Sequence, residues 1–167
     1  MIAIAERTFG LLALVAIVIG VGTAILLIRG RVPDWLRDDV ALPLATAIAA
    51  VATGGSLLLS EVAGYVPCTL CWYQRIAMYP LVVIVGVAAV RRDRAVWRTV
   101  LPITAIGSVI SVWHILIERN PQWAGPCEAD APCSLKWVEE FGFLTLPTMA
   151  LIAFIAVSVL TLAAHRR

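Results

Sequence analysis

Five long apolar runs, separated by short charged connections, set the plan of this chain. Thr8–Ile28, Leu42–Ser60, Trp72–Val90, Val100–Ile117 and Leu144–Ala164 are each predominantly apolar. Each is close to the 20 or so residues that a helix needs to cross a bilayer. The charged connections are residues 29–41, 91–99 and 118–143, with a shorter turn at 61–71. No internal repeat and no low-complexity tract interrupts the series. The pattern predicts five membrane-spanning helices. The first run is longer than the apolar core of a signal peptide and lacks a small-x-small cleavage pattern near Arg29, so it is read as a retained helix.

Composition agrees with the pattern. Of 167 residues, 61% are hydrophobic, and the mean hydropathy is +0.93. Soluble domains hold about half apolar residues. A chain of this length then has room for one bundle and no separate soluble domain. The formal charge of +2 gives no reason to expect a nucleic-acid partner.

Basic side chains favour the cytoplasmic side of a membrane. With the N-terminus outside, the inner connections hold nine of them: Arg29, Arg31, Arg37, Arg91, Arg92, Arg94, Arg98, Arg166 and Arg167. Four remain outside: Arg7, Arg75, Arg119 and Lys136. This orientation places all four cysteines on the exterior or periplasmic face, where disulfides persist.

The cysteines come in two pairs. Cys68 and Cys71 form a Cys-x-x-Cys at the start of the third apolar run, within Pro67-Cys-Thr-Leu-Cys-Trp-Tyr-Gln-Arg75. Cys68 is placed at a helix N-cap, where unpaired N–H groups and the helix dipole favour a thiolate. Arg75 follows Cys71 by four residues and shares its helical face. A guanidinium there acts on the thiolate or on an oxygen of a ligand docked against it. A quinone, flat and apolar with two carbonyl oxygens, suits such a site. Cys127 and Cys133, each preceded by proline, lie in an acidic loop. A bridge between them closes a very short loop and constrains little chain, so exchange with a partner is the better motive. The alternatives are static structural disulfides or a four-cysteine zinc site, for which the Cys-x₅-Cys half fits poorly.

His114 lies near the outer end of the fourth run and is read either as a proton donor to a reduced quinone or as an interfacial hydrogen-bonded histidine. Leu135, Val138 and Phe141 recur at i, i+3 and i+6. They fit either a short helix lying on the membrane surface or the lead-in to the last helix.

Cys68-Thr-Leu-Cys71-Trp-Tyr-Gln-Arg75 resembles the signature of the DsbB/BdbC disulfide bond formation proteins, and Phe143–Phe154 resembles their last helix. The resemblance covers about residues 42–164. It implies an antiparallel four-helix transmembrane bundle that takes electrons from a soluble thioredoxin-fold, DsbA-like oxidase and gives them to membrane quinone, ubiquinone or menaquinone. It makes Cys71 the quinone-proximal cysteine, Cys68 its exchanging mate, Arg75 the quinone-site arginine and Cys127 with Cys133 the partner-facing pair; His114 matches approximately. Two features depart from the family: the extra first helix and the close spacing of the loop pair. The vitamin K epoxide reductase type shares the chemistry, but its loop cysteines precede the Cys-x-x-Cys.

The reading is therefore an all-α membrane protein of the bacterial cytoplasmic (inner) membrane. Residues 1–41 form an extra N-terminal helix and cytoplasmic connection, expected to pack on the flank of the bundle. Residues 42–167 form the catalytic four-helix bundle, with the exterior loop 118–143. The competing reading is a non-catalytic membrane scaffold or assembly factor with structural disulfides or zinc.

Overall fold

The computed structural model describes residues 2–123 and 132–165. Its five long helices are α1 (Ile2–Ile28), α2 (Ala41–Leu57), α3 (Thr69–Arg91), α4 (Trp97–Arg119) and α5 (Leu146–His165). All five are long and apolar enough to cross a membrane; for α2 the span Leu36–Val62 includes a wider π-type turn at each end. α1, α3 and α4 outrun their apolar runs because backbone hydrogen bonding continues where charged side chains can leave the bilayer, whereas α5 starts two residues inside its run. α1 begins six residues before Thr8 and carries Glu6 and Arg7 in its first turns.

Helix ends follow local chemistry. Cys68, extended at φ −71° and ψ 170°, caps α3 by accepting the Cys71 N–H at 3.4 Å. Gly30, at φ +63°, ends α1, and the Arg31 N–H reaches back to the Leu26 carbonyl at 3.0 Å. A glycine adopts this left-handed cap without steric cost. At the same end of the bundle Asp38 pairs with Arg37 and Arg94, which joins the α1–α2 connection to the α3–α4 turn.

α2, α3, α4 and α5 form a ring in which each packs on two neighbours, and α1 lies along α5. The core of the ring is buried at Leu81, Val85, Val100, Phe154, Val157 and Leu160. The α4–α5 seam depends on Gly107, since a Cβ built there would lie 2.4 Å from the Phe154 ring. Gly107→Ala should therefore destabilise the protein by about 1–3 kcal/mol, the usual cost of overpacking, read as a lower thermal midpoint in detergent. An unchanged midpoint would mean that the seam opens freely.

The segment before α5 is not the short surface helix suggested by Leu135, Val138 and Phe141. It carries a two-residue antiparallel ladder, β1 (Glu139–Glu140) with β2 (Leu144–Thr145). Phe141 and Gly142 turn the chain at φ +54° and +75°. The Phe-Gly turn prevails over the three-residue apolar period, although a left-handed Phe is unfavourable. The hairpin folds back on the bundle, burying Val138 and Leu144.

Candidate functional site

Three of the four cysteines fall within the described residues, and they gather at one end of the bundle. Cys127 lies outside the described residues. Cys68 comes from the α3 cap, Cys71 from its first turn, and Cys133 from the folded-back loop. Cys68 and Cys133 are 4% and 1% exposed and share a small cluster with Ile117, against which Leu70 and Cys71 pack. The Cys68 and Cys71 sulfurs are 3.0 Å apart, within easy reach of the roughly 2.05 Å of a disulfide.

His114, 3% exposed, holds this cluster together. The Gln74 side-chain amide donates to its Nδ1 at 3.1 Å. Its Nε2–H then donates to the Cys133 carbonyl at 3.1 Å and lies 3.7 Å from the Cys68 sulfur. The imidazole thus fastens the loop backbone at Cys133 to the Cys-x-x-Cys turn. Cys68, Cys71, His114 and Glu118 line a recess of about 10 Å³. Glu118 is buried there.

The N-cap was expected to favour a Cys68 thiolate. Instead, its hydrogen bond to the Cys71 sulfur, and then burial, push the Cys68 thiol up to about 12, against a smaller opposing effect of His114. With a raised pKa the proton stays on. Cys68 in the reduced protein should therefore resist iodoacetamide from pH 7 to about 9, a range over which an ordinary thiol ionises. Mass spectrometry of the Cys68 peptide checks this, and a labelling rate that levels off near pH 9 would contradict it.

On the other side of Cys71 a second, larger space opens, a cavity of about 310 Å³ between α1, α2, α3 and α5. Cys71 is the only described cysteine that lines it, and it lines the small recess as well. Cys71, Gln74, Arg75 and Ser56 line it together at the cysteine end, and Tyr79 also lines it; most of the remaining wall is apolar. Arg75, 9% exposed, donates through Nε to the Ser56 hydroxyl at 3.0 Å and through Nη2 to the Ser56 carbonyl at 3.1 Å. Its guanidinium lies 5.1 Å from the Trp72 ring centroid. Nη1 has no protein acceptor among the described residues. His114 does not line this cavity and belongs to the cysteine side.

Cys68, Cys71 and His114 also present three donor atoms within 4.8 Å of one another, as a metal site requires. Both His114 nitrogens, however, are engaged by Gln74 and the Cys133 carbonyl, and a structural zinc ion wants four ligands.

Gln74 and Glu118 were given no role in the sequence reading. Gln74 stood in the cysteine motif as a lone amide in an apolar run, three residues after Cys71, and that position was its signal. Glu118 looked like one of several charges ending the fourth run.

Residues 38–164 match the family described as "Disulfide bond formation protein DsbB". The chain is 47% identical over 112 residues to the Disulfide bond formation protein C of Bacillus subtilis (strain 168), covering 66% of this chain and 81% of that one. It is 41% identical over 125 residues to a Probable disulfide formation protein C 1 of Bacillus anthracis, covering 74% and 90%. It is 41% identical over 129 residues to a Probable disulfide formation protein of Metapseudomonas resinovorans, covering 75% and 90%. No solved structure matches the chain.

Proposed function

The chain belongs to the DsbB family of disulfide bond formation proteins, a multi-pass membrane oxidoreductase serving disulfide bond formation, and on that premise we propose that it reoxidises a thioredoxin-fold dithiol protein and delivers the electrons to membrane quinone. The observation that carries this reading is the placement of Cys71, with buried Cys68 and Cys133 on one side and a largely apolar cavity headed by Arg75 on the other. The cavity falls in the ordinary size range of small-molecule sites. The donor left over on Arg75 suits a carbonyl oxygen.

In the oxidised protein the pairs are Cys127–Cys133 and Cys68–Cys71. A partner thiolate attacks Cys127, forms a mixed disulfide and releases the Cys133 thiolate. Cys133, held beside Cys68 by His114, attacks Cys68 and expels Cys71 as a thiolate facing the cavity. The partner's second thiol resolves the mixed disulfide and leaves oxidised. The freed Cys127 then takes Cys133 back from Cys68. Cys68 and Cys71 close again with the loss of two electrons and two protons, which is the chemistry that bound quinone supplies as acceptor. Arg75, and Cys71 itself, would hold the ring. Each exchange depends on thiolate fraction and access, and His114 controls the second by positioning the loop.

The nine-to-four distribution of basic residues supports a cysteine end facing the exterior or periplasm of a bacterial cytoplasmic membrane. The test is turnover in lipid nanodiscs with a reduced thioredoxin-fold protein and quinone. One partner disulfide should form per quinone reduced, and none beyond a single charge of the protein without quinone. Stoichiometric zinc together with no turnover would favour the scaffold reading.

A further inference from the structure

From the way α1 closes the large cavity we infer that this helix, which lies outside the residues matched to the family, forms the wall against which the isoprenoid chain of the acceptor quinone packs. The inference rests on the quinone reading above. α1 was expected to pack on the flank of the bundle; from its place along α5, Phe9, Leu12, Val15, Ala16 and Ile19 line the cavity, along about 15 Å of helix.

The arrangement has specific causes. α1 packs closely along α5 through a small-residue edge, with Gly20 against Ala156, and only sparsely against α2. The cavity occupies the gap that remains. α1 approaches α2 closely where Phe9 meets Gly55; a Cβ there would lie 2.9 Å from the Phe9 ring. This contact is beside Ser56 and hence beside Arg75. The first turns of α1 are also fastened to the redox end. The Tyr65 hydroxyl donates to the Glu6 carboxylate, and the Tyr65 ring stacks on Trp137 at 5.1 Å. Without α1 the polar end of the cavity would keep Cys71, Gln74, Arg75 and Ser56, while its apolar length would face lipid along one side. The helix therefore bears on the chain of a ligand rather than on its ring.

The test compares kcat/KM for a long-chain quinone and for the same ring without a chain, in nanodiscs with the full-length protein. Leu12→Trp fills the apolar trough, and Ile19→Ala, ten residues along α1 from the Phe9 contact beside Arg75, opens the wall without adding bulk. Both should lower the long-chain to chainless ratio about tenfold or more, the scale of a few misplaced methylenes in an apolar pocket. Val18→Trp, at a position 72% exposed and outside the cavity lining, should leave the ratio unchanged. The ratio does not depend on how much of each preparation is folded. A ratio unmoved by both cavity variants, or moved equally by Val18→Trp, overturns the inference while leaving the quinone reading intact. A wild-type protein that reduces neither compound overturns both.

Discussion

Cys133→Ser and Cys127→Ser should each abolish quinone-dependent oxidation of the partner, and each should stop at a different covalent species. Cys133 is buried beside Cys68, its carbonyl held by the His114 imidazole. When Cys127 is replaced, Cys133 still has Cys68 within reach. That variant should accumulate an internal Cys68–Cys133 bridge and little partner adduct. When Cys133 is replaced, Cys127 is left a lone thiol with no bridge for the partner's thiolate to attack, and the variant should be recovered with the Cys68–Cys71 bridge closed and Cys127 reduced. Non-reducing gels and peptide mapping distinguish the two species. A partner adduct on Cys133 in the Cys127→Ser variant would reverse the assignment, and full activity in either variant would end the two-bridge scheme. Cys68→Ser and Cys71→Ser should also be inactive.

Arg75→Ala should raise the KM for quinone by about tenfold to a hundredfold, as expected from losing a charge-assisted hydrogen bond of roughly 1.5–3 kcal/mol. Folding should suffer much less. The Ser56 hydroxyl that Arg75 binds can turn to its own helix backbone, and the Trp72 face that Arg75 covers already lies half-exposed. Arg75→Lys should not restore binding, because one ammonium cannot hold Ser56 and a ligand oxygen in the planar fork that a guanidinium offers. An unchanged KM in Arg75→Ala would remove this residue from the quinone site.

Much of the architecture was legible in the chain because a bilayer imposes a simple length rule. Five apolar runs became five helices, with ends shifted by a few residues. Cys68 was placed at a helix N-cap, where the structure has it, and the Cys-x-x-Cys with Arg75 four residues on marked the candidate site. Other features depend on contacts between distant segments. His114 meets Gln74 across 40 residues and Cys133 across 19, and no local pattern encodes either bond. The lining of the cavity by α1 was hidden for another reason. An aliphatic side chain facing lipid and one facing an apolar cavity satisfy the same solvation preference, so Leu12 and Ile19 carry no mark of which they do. Phe141 was read into a surface helix or the lead-in to the last helix because the three-residue apolar period is visible in the sequence, whereas the pairing of Glu139 and Glu140 with Thr145 and Leu144 is not. The Cys68 thiol was expected to ionise readily because its helix cap was visible in the sequence, whereas its burial and its contact with the Cys71 sulfur were not.

In the proposed relay both cysteine pairs feed one exit through Cys71. The most direct measurement is anaerobic stopped-flow mixing of the fully reduced protein with excess quinone, with protein thiols counted after acid quenching. The chain has four cysteines, and all four thiols should be lost as two quinones are reduced, with Cys71→Ser losing none. Loss of only the Cys68 and Cys71 thiols would contradict the relay from the loop, and reduction of quinone by the Cys71→Ser variant would contradict the exit.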